Sequence, residues 1–372
     1  MTKDQLNDKL YRLWSNTPNH IFANITMGMG KTKCALRILQ NESFNKLILT
    51  HTTNSRDVVW PNEMEKWNYD IQDLDIFQYA HISKIDKIYN VIVLDECHKI
   101  TLNIFNFLKR QVEIGCRILF LTGTRPDDKQ KLGFLNYFKS TILEYTLMDA
   151  VNDKNANDVE FRIVYCHQDD TIPKYKVFMR SGLFTERQAY LEYCKQIMNA
   201  KTDKLKELAI NMRMWHIYKS ETKLKAALYI RNQMLKENNR FIMFVTTKSI
   251  ASSISDNVFH SGTKNTKYKD FLNGEINELI TCEQLKTGEN IPNLRYGIVT
   301  QIDAKKHNFE QLMGRFTRIE ATLQKSIIYV IVLKDTMDFT WLRKASGNIN
   351  KSYFKEYEIS NEKLNSIKWP IE

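Results

Sequence analysis

The chain has little of what staples, breaks or anchors a polypeptide. Its six cysteines (Cys34, Cys97, Cys116, Cys166, Cys194 and Cys282) are scattered, with no Cys-x-x-Cys pair. Neither a zinc site nor a disulfide framework is expected from that spacing. Several of them lie in apolar runs and read as core. Glycine and proline are sparse, 12 and 6 among 372 residues, and no low-complexity tract interrupts the chain. No apolar stretch is long enough to cross a bilayer, which argues against a membrane protein. The first residues, Met1-Thr2-Lys3-Asp4-Gln5, are polar, so no signal peptide is expected. A cytoplasmic location follows as an expectation.

What is present is a length that suggests two domains, each able to bury its own core. Hydrophobic residues make up 43% of the chain. The 54 Lys and Arg against 43 Asp and Glu give a formal net charge of +11. A basic balance of that size favours a polyanionic partner, most simply nucleic acid. It also suits a solvated, lysine-rich surface.

The most informative stretch is Ala23-Asn24-Ile25-Thr26-Met27-Gly28-Met29-Gly30-Lys31-Thr32. An apolar run ending at Ile25 reads as a buried strand. A glycine turn follows, then Lys-Thr, then an amphipathic helix. Gly28 and Gly30 let the backbone turn its N–H groups toward an anion. The helix N-terminus adds partial positive charge at the same place. Lys31 can reach the β- and γ-phosphates of a nucleotide, and the Thr32 hydroxyl can bind Mg²⁺. The full pattern carries a further glycine at position 25, where this chain has Ile25.

A second signal is Asn90-Val91-Ile92-Val93-Leu94-Asp95-Glu96-Cys97-His98. Four apolar residues predict a strand buried on both faces. Two carboxylates stand at its C-terminal end, where parallel sheets bind ligands. Asp95 can hold Mg²⁺ on the phosphates, and Glu96 can orient or deprotonate the attacking water. Residues 117–124 repeat the format, a buried strand and then Thr122-Gly123-Thr124. Strand and helix thus alternate from 20 to 125, as in a parallel sheet.

The polar stretch 150–160 marks a boundary. Val159 to Cys166 reads as an exposed strand, and 184–237 as two or three bridging helices. A second α/β unit starts at Arg240. It ends in a helix on which Gln311, Arg315 and Arg318 share one face, followed by a strand from Ser326 to Leu333. If the two units face each other, Arg315 and Arg318 can complete the nucleotide site as arginine fingers, worth roughly 10³–10⁵ in rate. The expected domains are 1–150, a bridge at 151–237, a second domain at 238–335 and a tail at 336–372. In the tail, Trp341 and Trp369 could stack on bases, but packing of a C-terminal helix is the better reading.

These residues, in this order, resemble the superfamily 2 DExH-box helicases and translocases. Met27 to Thr32 is similar to motif I in its Swi/Snf-like form. Thr50-His51 with Trp60 to Trp67 resembles motif Ia and the segment after it. Asp95-Glu96-Cys97-His98 matches motif II, Thr122-Gly123-Thr124 motif III, and Phe244 to Lys248 motif IV. Thr281 and Thr287-Gly288-Glu289-Asn290-Ile291-Pro292 resemble motif V, and Gln311 to Arg318 matches motif VI. Gln5 falls near the family's adenine-reading glutamine. Motif III departs from the family by Arg125 before Pro126, and motif V lacks a double glycine. Compact phage-encoded recombination and repair helicases are the most similar relatives.

The resemblance implies two RecA-like domains, parallel sheets flanked by helices, joined by a helical bridge, with ATP and Mg²⁺ as cofactors. It implies that Lys31, Thr32, Asp95, Glu96, Gln311, Arg315 and Arg318 serve ATP, with Gln5, Met27, Gly28, Met29, Gly30 and Gly288 around the nucleotide. Thr50, His51, Thr122, Thr247, Lys248 and Thr281 would touch a nucleic-acid backbone, although each hydroxyl alone equally suits a turn or cap. A monomeric DNA-stimulated ATPase in the host cytoplasm, moving on or remodelling DNA, is the leading expectation. An RNA helicase and a non-motor, ATP-gated nucleic-acid-binding factor are the alternatives.

Overall fold

The computed structural model describes the chain except residues 127, 283–290, 292–293, 305–308, 310–311, 313, 315, 318–324, 348 and 368–372. It divides into two compact units, one built on Met1–Asn157 and the other on Asp158–Phe309 with Arg315–Glu372.

The first unit is a six-stranded parallel sheet. Its strands are β1 (Ile21–Ile25), β2 (Lys46–Thr50), β3 (Leu74–Gln78), β4 (Val91–Asp95), β5 (Arg117–Thr122) and β6 (Thr141–Tyr145), in the order β3-β2-β4-β5-β1-β6. β1, β2 and the first four residues of β4 are buried throughout, as apolar runs flanked by helices on both faces must be. The helices are α1 (Lys3–Asn16), α2 (Lys31–Gln40), α3 (Trp60–Lys66), α4 (Leu102–Glu113), α5 (Lys129–Tyr137) and α6 (Leu147–Asn152). Their starts follow the side chains that satisfy orphan amides. Thr2 and Gln5 form a reciprocal capping box on α1, and Thr101 caps α4. Apolar side chains of β2, β4, β5 and α4 form one core with Tyr79 and Tyr89.

The second unit is a seven-stranded parallel sheet of β7 (Asp158–Cys166), β8 (Phe241–Phe244), β9 (Val258–Phe259), β10 (Glu278–Thr281), β11 (Tyr296–Val299), β12 (Lys325–Leu333) and β13 (Phe354–Glu358). The order is β13-β7-β12-β11-β8-β10-β9. Helices α7 (Glu186–Met198), α8 (Asp203–Tyr218), α9 (Glu221–Lys236), α10 (Lys248–Ile254), α11 (Thr266–Leu272) and α12 (Met337–Ala345) accompany it.

Two features differ from the sequence expectation. β7 is not exposed but an inner strand, paired with β12 on one side and β13 on the other. Its charged Glu160 is buried because Arg162, Lys325 and Lys355 all reach it, at 2.7, 2.8 and 2.8 Å. Burial would raise the Glu160 carboxyl, but the three cations hold it well below the usual carboxylate range. A polar alternation that reads as a solvated face is thus satisfied inside the sheet. Second, the segments expected as bridge and tail are built into the second unit. Tyr190, Ile217, Tyr218 and Leu224 belong to its core, and Trp341 packs 5.6 Å from Tyr218, ring centre to ring centre. Trp369 lies outside the described residues.

Candidate nucleotide-binding site

The strand register of the first unit brings the two strong sequence signals together. Asn24 near the end of β1 pairs with Thr122 of β5, and Asp95 at the end of β4 pairs with Leu121. The loop after β1, the carboxylates after β4 and the Thr-Gly-Thr turn after β5 therefore emerge side by side at the C-terminal edge.

The loop turns on two left-handed glycines, Gly28 at φ 79° and Gly30 at φ 81°. Gly30 is also the N-cap of α2. The first intrahelical bond runs from Cys34 N to Gly30 O at 3.0 Å, so the amides before it face out of the helix end. Lys31 folds back over the loop and donates from Nζ to Ile25 O at 2.6 Å and Thr26 O at 3.3 Å. Two carbonyls already hold the ammonium where a phosphate would meet it. Met29 is buried, Met27 and Thr32 are half-buried, and Gly28 is exposed at the tip.

Gly123 closes the loop from the β5 side. A Cβ there would lie 3.4 Å from Met27 Cγ and 3.6 Å from Lys31 Nζ. From the α1 side comes Asn7, whose Nδ2 would stand 2.8 Å from a Cβ on Gly30. Gln5, two residues earlier, is exposed and caps α1, with its Oε1 accepting from Thr2 N at 2.8 Å.

Asp95 accepts a hydrogen bond from the indole of buried Trp60 at 3.1 Å, and its backbone carbonyl accepts from the Tyr79 hydroxyl. Burial, and then the neighbouring Glu96 charge, push the Asp95 carboxyl well above the usual range, against the Trp60 N–H and Lys31. Glu96 adopts a left-handed backbone, φ 56° and ψ 47°. A side chain there costs about 1–2 kcal/mol. The turn aims Glu96 at the same edge as Asp95. Its Oε2 is buried, without a well-aligned hydrogen bond, 3.2 Å from His98 Nδ1. Burial would raise the Glu96 carboxyl, yet His98 and then Lys31 and Lys99 hold it low. His98 Nδ1 also lies 3.0 Å from Thr122 Oγ1, and that hydroxyl donates to Thr124 O at 2.7 Å. Because Thr122 spends its one proton on Thr124, His98 Nδ1 is the donor between them. The carboxylates after β4 and the turn after β5 are thereby linked through one imidazole.

Of the residues expected on a nucleic acid, Thr50 bonds to Thr52 O, and His51 is exposed at the end of β2. Burial, and then Lys99, hold the His51 pKa below its ordinary value. In the second unit, Thr247 caps α10, Lys248 follows it, and Thr281 bonds to Phe259 O. Gln311, Arg315, Arg318 and Gly288 lie outside the described residues. The sequence reading missed Tyr79 and Asn7 and the indole bond of Trp60. A tryptophan opening a helix through Trp60-Pro61 was the available signal, since a buried indole N–H needs a polar partner.

Among solved structures, the helicase domain of Pyrococcus furiosus Hef is similar at TM-score 0.54 and 14% identity, covering 90% of this chain and 96% of that one. The chain has a helicase fold. Saccharomyces cerevisiae Dbp5 bound to RNA and ADP BeF3 is similar at TM-score 0.57 and 13% identity, covering 97% of this chain and 90% of that one. The ATP-dependent Type ISP restriction-modification enzyme LlaBIII bound to DNA is similar at TM-score 0.61 and 13% identity over 98% of this chain. The helicase-fold chain spans 32% of the length of LlaBIII. No protein-family model and no curated protein sequence matches it.

Proposed function

We propose that the chain is a DExH-type, nucleic-acid-stimulated ATPase of superfamily 2 that moves on or remodels DNA, in phage replication, recombination or repair. One observation carries this. Lys31, Asp95 and Glu96 emerge from neighbouring strands at one edge of one parallel sheet, where a phosphate loop, a metal ligand and a base must meet.

The residues suit Mg²⁺. Thr32 and Asp95 would hold it, and two adjacent carboxylates, one lifted by the other, are a donor set that a divalent cation relieves. When bound it bridges phosphate oxygens and neutralises their developing charge. Lys31 exchanges its two carbonyl partners for phosphate oxygens. Glu96, kept ionised by His98, orients water and accepts its proton. Gln311, Arg315 and Arg318 supply the remaining contacts, Gly288 and Met27 to Gly30 line the nucleotide, and Gln5 reads its base on leaving its cap. Thr50, His51, Thr122, Thr247, Lys248 and Thr281 contact backbone, as position-setting donors do.

LlaBIII bound to DNA and Dbp5 bound to RNA are both similar in fold, so the test offers both polymers. ATP hydrolysis is measured alone, with single-stranded and branched DNA, and with RNA. Stimulation by DNA supports the reading, and stimulation by RNA alone moves it to an RNA helicase. A rate indifferent to every nucleic acid, or unchanged in Lys31→Ala, refutes it.

A further inference from the structure

The first unit carries a second cavity, of about 630 Å³, away from the phosphate loop. Helix α4 forms one wall. Lys99 precedes the helix, and Asn103, Asn106 and Arg110 follow at spacings of four, three and four. That spacing places them in one stripe. His51 and Gln78, from the ends of β2 and β3, stand at the mouth. Phe107 and Tyr79 are buried and supply the apolar floor.

The lining contains no carboxylate. The neighbouring cavity beside β3 differs: there Asp57 neutralises Arg56 at 2.6 Å. The α4 groove thus keeps its positive charge for an occupant. Its polar groups are also strung out. Asn103 to Arg110 spans about 10 Å of helix rise, more than one phosphate can bridge. Amides and cations in a row suit a polymer carrying a charge on every residue, with sugars and base edges between.

From this we infer that the groove between α4 and the turn after β3 binds a single-stranded polynucleotide, through Lys99, Asn103, Asn106 and Arg110. The inference rests on the nucleic-acid reading above and adds a contact surface that none of the helicase-like motifs contains.

The test is direct binding, with no hydrolysis required. Fluorescein-labelled oligo-deoxythymidine is titrated with the full chain at several salt concentrations, alongside oligo-uridine and with poly-glutamate as competitor. Arg110→Gln and Asn106→Ala are both exposed positions, and thermal melting confirms that each variant is folded. Loss of one charged hydrogen bond is expected to raise Kd about tenfold in Arg110→Gln. The slope of log K against log salt should fall by about 1. Asn106→Ala should weaken binding without changing the slope. A folded Arg110→Gln variant with wild-type Kd and slope overturns the inference. So does a wild-type chain that binds no strand, or binds poly-glutamate as well as oligonucleotide. A chain that binds through Arg110 but hydrolyses no ATP keeps the groove and refutes only the motor.

Discussion

Glu96 is placed so that stability and activity pull apart. Its left-handed backbone, φ 56° and ψ 47°, costs a side chain about 1–2 kcal/mol that glycine does not incur. Glycine gives back about 0.5–1 kcal/mol through greater freedom of the unfolded chain. Removing the carboxylate also removes the charge that helps to lift Asp95. It further removes a buried Oε2 that lacks a well-aligned hydrogen bond. His98 keeps Thr122 as its partner. The sum for Glu96→Gly is a gain on the order of 1 kcal/mol, or about 2–4 °C in the melting midpoint of a unit this size. Hydrolysis should fall by about 10²–10⁴, the usual worth of a general base. Glu96→Gln keeps the strained backbone, so it should lose turnover with a smaller gain in stability. Calorimetry and phosphate release measure the two effects. A Glu96→Gly protein that melts below wild type refutes the strain argument, and one that retains turnover refutes the role of Glu96.

Other perturbations follow from the same geometry. Trp60→Phe removes an N–H that favours ionised Asp95, so the acidic limb of kcat/KM should move to higher pH; an unmoved limb would show that Asp95 does not set it. Tyr79→Phe removes only the hydroxyl joined to the Asp95 carbonyl and should lower nucleic-acid stimulation of the ATPase while strand affinity stays unchanged, so a normal stimulation factor contradicts the link. In the second unit, Lys223 and Asp338 form a fully buried pair at 2.6 Å, and Lys223→Met should cost about 3–5 kcal/mol in urea unfolding by leaving a lone buried charge. Burial already lifts Asp338 above its unfolded value. The folded state therefore binds its proton more readily, and this contribution to stability is present at low pH and lost as pH rises through the folded pKa. The variant's deficit against wild type should shrink as pH falls, and a deficit that grows instead rejects the explanation.

The sequence by itself determined the elements whose signals are local. An apolar strand, two left-handed glycines and Lys-Thr specify the phosphate loop, because backbone freedom and helix polarity act within a few residues. Val91 to Glu96 likewise announces a buried strand ending in two carboxylates. The alternation of strand and helix was enough to name the fold class. What only the tertiary structure decided depends on partners distant in the chain. β7 is an inner strand because cations from β12 and β13 neutralise Glu160, which no pattern within 158–166 reveals. Tyr79 and Trp60 reach Asp95 from 16 and 35 residues away, and Asn7 meets Gly30 across two helices. Periodicity records which face of a segment is apolar. Which neighbour covers that face, and whether a charge on it finds a partner, is fixed only when the sheet assembles.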